Sequence, residues 1–133
     1  MKTKARKIGM MVERTRTGYS AFAEQYPVYT TGKTLAELKA RMIEALGLYF
    51  RKEGRAITAS DLKVTLDLQQ FFEFYKVINA KALSERIGMN QSLLAQYING
   101  HKKPSARQVG RILEGVREVG KELTAISFLI GNT

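Results

Sequence analysis

The apolar residues of this 133-residue chain change their spacing once, near residue 66, and that change limits the fold more than any other feature. Before it, apolar and polar residues alternate in short runs, interrupted by one longer run that repeats every three or four residues. Strands with one buried face and a single amphipathic helix give those two patterns. After it, a spacing near 3.6 persists almost to the carboxy terminus. The expectation is an α+β chain, with a small sheet-and-helix domain over residues 1–66 followed by an all-α domain over residues 67–133.

Within the first part, Ile8, Met10 and Val12 alternate with Gly9, Met11 and Glu13, and Tyr19, Ala21 and Ala23 alternate with Ser20, Phe22 and Glu24. The short gap between these strands favours a hairpin. A third, shorter strand is expected over Val28, Tyr29 and Thr30. Thr34 and Glu37 form a capping box for a helix from 34 to about 52, buried through Leu35, Leu38, Met42, Leu46 and Tyr49, with Ile43 and Phe50 widening the stripe. Leu62, Val64 and Leu66 complete the sheet.

The second part reads as successive capped helices. Asp67 caps a helix carrying Phe71, Phe72, Phe74, Tyr75 and Ile78; Asn79 caps one ended by Gly88; Asn90 caps one ended by Gly100; Ser105 caps a fourth, which Gly115 or Gly120 divides from a last helical turn. Four aromatics in five residues cannot share one helix face, so core and interface are both expected for Phe71, Phe72, Phe74 and Tyr75. Residues 123–130 are apolar enough to end the last helix or to form an edge strand that pairs across a dimer.

Charge narrows the function. There are 22 Lys and Arg against 12 Asp and Glu, a net charge of +10, and such an excess must be solvated or neutralised by an acidic partner, of which nucleic acid is the commonest. With no cysteine, disulfides, thiolate nucleophiles and Cys-built zinc sites are excluded, which suits a cytoplasmic protein. No apolar run approaches the roughly eighteen residues of a membrane span. The basic start, with Lys2, Lys4, Arg6 and Lys7, precedes an apolar stretch too short for a signal peptide, so it reads as a basic arm. Asp61 and Asp67, the only aspartates, flank one strand as caps, and His101 has no catalytic partner in sequence. No enzymatic activity, catalytic residue, metal or cofactor is expected.

Residues 83–100 carry the spacing of a helix-turn-helix. Gly88 allows the chain to turn, Asn90 restarts it, and Leu83, Ile87, Leu94 and Tyr97 hold the two helices together. Gln91, Ser92, Leu93, Ala95 and Gln96 are left on the outer side. Their chemistry fits base edges in a major groove: the glutamines pair with adenine, Ser92 serves several bases, and Leu93 or Ala95 meets a thymine methyl. Lys81, Asn90, Asn99, His101, Lys102, Lys103 and Arg107, joined by Arg86 and Arg111, are the expected phosphate contacts.

With Gly88, Gln91, Gly100 and the exit Lys103, Pro104, Ser105, this segment resembles the XRE-type helix-turn-helix of phage repressors, although Ala80 and Ser84 stand where that family often has Gln and Ala. The first half, through Gly18, Tyr19, Ser20, Ala21, Pro27, Thr31, Gly32, Lys33, Thr34, Glu37 and the helix to Tyr49, resembles the HicB antitoxin domain, a partial ribonuclease-H-like fold. Together the halves resemble HicB-like antitoxins with a carboxy-terminal XRE-type domain. That resemblance implies a first domain that blocks a HicA-like ribonuclease toxin and a second that binds double-stranded operator DNA as an autorepressor; a homodimer is expected because a repressor that reads a palindrome needs a two-fold partner. A stand-alone dimeric transcriptional regulator, whose first domain senses a ligand or only dimerises, is the alternative. A third is an interaction module that inhibits some other protein.

Overall fold

The computed structural model describes residues 6–131. Four strands, β1 (Ile8–Thr15), β2 (Gly18–Ala23), β3 (Tyr29–Gly32) and β4 (Leu62–Leu66), and six helices, α1 (Leu35–Tyr49), α2 (Leu68–Phe74), α3 (Ala80–Ile87), α4 (Gln91–Ile98), α5 (Ala106–Thr124) and α6 (Ser127–Ile130), follow in the order βββα-β-ααααα. They form two compact units that divide between Phe74 and Tyr75. The architecture is α+β, a four-stranded mixed sheet with a helix and then a helical region.

In the sheet the strand order is β3-β2-β1-β4. The hairpin pairs β1 and β2 antiparallel, with Met10 opposite Ala23 and Val12 opposite Ala21, whereas β4 lies parallel to β1, with Ile8 opposite Leu62 and Val12 opposite Leu66. A parallel neighbour needs a crossover, and α1 with the loop after it supplies one. Ile8, Met10, Val12, Ala21, Ala23 and Leu62 bury one sheet face together with Leu38, Met42 and Leu46 of α1. The stripe on α1 is narrower than its spacing predicts: Leu35 and Tyr49 are exposed, and the buried set recurs every fourth residue down to Phe50. The helix is also shorter. Phe50 closes it, a 3-10 turn follows over Arg51–Glu53, and the third strand starts and ends later than expected, at Tyr29 and Gly32. On the outer edge strand β4, Val64 is exposed and only Leu62 is buried, because an edge has a neighbour on one side only.

The start of α1 is fixed by local chemistry. Thr34 Oγ1 accepts from the Glu37 N–H at 3.1 Å, and the Glu37 carboxylate accepts from the Lys33 N–H rather than from the cap residue itself. The two aspartates do cap: Asp61 closes a capping box on Thr58, and Asp67 Oδ1 accepts from the Gln70 N–H at 3.1 Å. The Thr58 N–H is the main reason the Asp61 carboxyl titrates below its usual value, with the Thr58 hydroxyl and Arg55 adding to it. Helix α2 belongs with the sheet. Gln70 hydrogen-bonds both backbone groups of Arg14, whose guanidinium lies 4.8 Å from the ring centres of Tyr19 and Phe74. Phe72 is buried, with Phe71 packed edge-on against it, so this unit engages Phe71, Phe72 and Phe74 of the clustered aromatics.

The second unit therefore holds four helices, not five. Asn79, Asn90 and Ser105 cap α3, α4 and α5 through their side chains, as their positions predict. Neither Gly115 nor Gly120 divides α5, which runs unbroken to Thr124. At Gly115 the reason is packing: a Cβ there would overlap Ile87 Cγ2 and come within 3.3 Å of Leu83 Cδ1, so the glycine lets α5 lie close on α3. Gly115→Val is expected to lower the stability of this unit by about 1–3 kcal/mol, since overpacking outweighs the gain of about 0.3–0.5 kcal/mol in helix propensity. Thermal denaturation followed by circular dichroism would measure it. The segment 123–130 is helical, not an edge strand.

Candidate nucleic-acid interface

Three residues join α3 to α4. Gly88, at φ +67°, takes the left-handed conformation that other residues resist, and its N–H and that of Met89 return to carbonyls of the last turn of α3. Met89 is buried, and the Asn90 side chain then accepts from the N–H groups of Ser92 and Leu93 at 2.8 and 3.2 Å. Leu83, Leu94, Tyr97, Val109 and Ile112 are buried, and Ile87 is half-buried.

At 100° per residue, Gln91, Ser92, Ala95, Gln96 and Asn99 fall within an arc of about 140° on α4, opposite Leu94 and Tyr97. All five are exposed. Leu93 is half-buried at the edge of the arc, so of the five proposed base contacts it is the one partly turned inward. Beyond α4, Gly100 at φ +76° reverses the chain, and the Gln96 carbonyl accepts from the N–H groups of both His101 and Lys102. That pair of bonds fixes the basic turn to the outward-facing end of α4. Lys81, Asn90, Asn99, His101, Lys102, Lys103 and Arg107 are exposed as well. From Ile87 to Leu113 the sequence has four Lys and Arg and no Asp or Glu, so this surface carries excess positive charge.

Three expected phosphate contacts are engaged otherwise, the Asn90 side chain as the cap of α4 and two arginines. Arg111 Nη2 donates to the carbonyls of Ile87 and Gly88, each at 2.9 Å, and so clamps the end of α3. Arg86 pairs with Glu122 of α5. Charge pattern alone could not separate them from Lys102 or Lys103, because their partners lie 23 to 36 positions away. No group of three or more potential metal ligands occurs among the described residues, and none of their helices is long and apolar enough to cross a membrane. Lys2 and Lys4 of the basic arm lie outside the described residues.

No family model, curated protein or solved structure matches the chain.

Proposed function

We propose that the chain is a non-enzymatic regulator that reads double-stranded DNA with α4, in the manner of an XRE-type helix-turn-helix, and that its sheet unit is a HicB-like toxin-binding domain. One observation carries the reading: the outward arc of α4 stays uncovered while the opposite side is buried, beside a stretch of 27 residues without an acid. An ordinary solvated helix needs no such segregation of charge. Gln91 and Gln96 would bond adenine edges, Ser92, Ala95 and Leu93 would fill around them, and Lys102, Lys103, Lys81 and Arg107 would hold phosphates. As a dimer the protein would place two such helices in successive major grooves, about 34 Å apart, across an operator. By resemblance, the sheet unit would cover the catalytic face of a HicA-like ribonuclease and keep RNA out.

Labelled promoter fragments titrated with the full chain, with and without the product of the adjacent reading frame, test this. Sequence-selective retardation, together with rescue of cells expressing a toxic neighbour, is the expected outcome. Retardation without rescue would leave a stand-alone regulator, and neither would remove the proposal. Salt dependence separates the cations. Lys103→Ala should reduce the slope of log K against log salt by about 0.9 on every sequence. Arg111→Met should leave the slope unchanged and lower discrimination between sequences, because it loosens the turn behind α4 instead of releasing a phosphate. Equal slope losses in both variants would show Arg111 to be a phosphate contact.

A further inference from the structure

Reading an operator with α4 leaves half of the chain's charge without a use. Residues 1–74, the sheet unit, hold thirteen Lys and Arg against eight Asp and Glu, so five of the ten excess positive charges lie outside the helical unit. Arg55 gathers part of that excess at one place. Its guanidinium donates to the Arg6 carbonyl at 3.2 Å, lies 5.1 Å from the centre of the Phe50 ring and pairs with Asp61 at 3.6 Å. It thereby ties the approach to β1, the end of α1 and the turn before β4 to one end of the unit. Arg6, Lys7, Arg51 and Lys52 belong to that end, and all four are exposed. Among the described residues none of them makes an ion pair. Of the acids nearby, Asp61 is taken up by Arg55 and by the Thr58 N–H, and the Glu24 carboxylate lies against Gly9 on the sheet face turned away from α1, where Lys63 is the neighbour of Gly9 in register. Only Glu53 is left to offset the four cations.

An aromatic ring stands among these cations. Tyr49, the last residue of α1, has Tyr26 tilted against it and Phe50 edge-on to it, with ring centres 5.6 and 5.0 Å away. Two neighbours at an angle fix the ring, yet 43% of the residue stays in solvent. Arg51 and Lys52 follow it by two and three positions. Cations by themselves attract any polyanion. A held, exposed ring beside them selects further, because the bases of a single strand can stack on it, while those of a duplex are already stacked and paired. An acidic peptide would meet the cations but has no flat group to lay on the ring.

We propose that this end of the sheet unit binds single-stranded RNA, the abundant single strand of a cell, with a base stacked on Tyr49 and phosphates held by Arg51, Lys52, Arg6 and Lys7. The contact is separate from the operator reading and uses no residue of α4 or of the basic turn. Fluorescence anisotropy of the full chain with an unstructured labelled RNA of about 12 nucleotides tests it. Wild type is expected to bind, and Arg51→Ala/Lys52→Ala should reduce the slope of log K against log salt by about 1.4, near 0.7 for each phosphate released. Its affinity for operator DNA should not change. Tyr49→Leu should weaken RNA binding about fivefold or more, Tyr49→Phe should keep it, and circular dichroism should be the same for both. Lys33→Ala/Lys39→Ala removes equal charge about 18 Å or more away along α1 and should leave the slope as it is. Absence of RNA binding, an equal slope loss in Lys33→Ala/Lys39→Ala, or an equal effect of Tyr49→Leu on duplex RNA would each overturn the proposal. So would displacement of the RNA by polyglutamate as effectively as by unlabelled RNA, or tighter binding of the same strand as DNA. Loss of RNA binding in Lys102→Ala/Lys103→Ala would place the strand on the helical unit and overturn it as well.

Discussion

Gly32→Ala is expected to destabilise the sheet unit strongly while sparing the helical one. A Cβ at residue 32 would lie 2.5 Å from the Leu38 nitrogen and 2.7 Å from its Cα. Both are backbone atoms in the first turn of α1, so no rotamer change can relieve the overlap; β3 or α1 must move. Moving α1 pulls Leu38, Met42 and Leu46 away from Ile8, Met10 and Val12. The cost is placed at about 3 kcal/mol or more, the upper end for overpacking, against a total stability of about 5–15 kcal/mol for a domain. Hydrogen exchange of the full chain, resolved by peptide, would show protection reduced over β1 to β4 and unchanged over α3 to α5. Uniform protection in the variant would mean that β3 and α1 are not packed as described.

The second large effect concerns recognition. Replacing Gln91 and Gln96 together with alanine should cost about 2–6 kcal/mol on operator DNA, twice the 1–3 kcal/mol of one base-reading contact, and little on random DNA. Both side chains are exposed, so the fold should survive and circular dichroism should not change. Fluorescence anisotropy with the two DNAs in parallel is the measurement. Equal losses on both would assign the glutamines to backbone contact and leave α4 without a reading role.

What the sequence made legible was local. The caps at Thr34, Asn79, Asn90 and Ser105, and the glycine turn at Gly88, depend on residues three or four apart, and each is found where its spacing places it. The outward arc of α4 follows from the same periodicity. Features set by distant partners were not legible. Parallel pairing of β1 with β4 leaves no mark on either strand, since both alternate as antiparallel strands do. Gly115 looks like a helix breaker until Ile87 and Leu83 are seen beside it, and Arg111 looks like a phosphate contact until Gly88 is seen in its reach. The exposure of Leu35 has the same origin: an apolar residue in register with a buried stripe is covered only if the sheet extends beneath it.

The parallel placement of β4 also fixes an order in time. β1 has its second neighbour only after Leu66 has been made, so the sheet cannot close earlier, and Gln70 of α2 then seals Arg14. With α2 the first unit has all its parts. At 5–20 residues per second, synthesis from Tyr75 to the end of α4 at Ile98 takes roughly 1–5 s more. All strands of the sheet are thus made before any residue of the helix that the proposed reading places on DNA. On the antitoxin reading, protection of the translation machinery would begin first and silencing of the gene would come after.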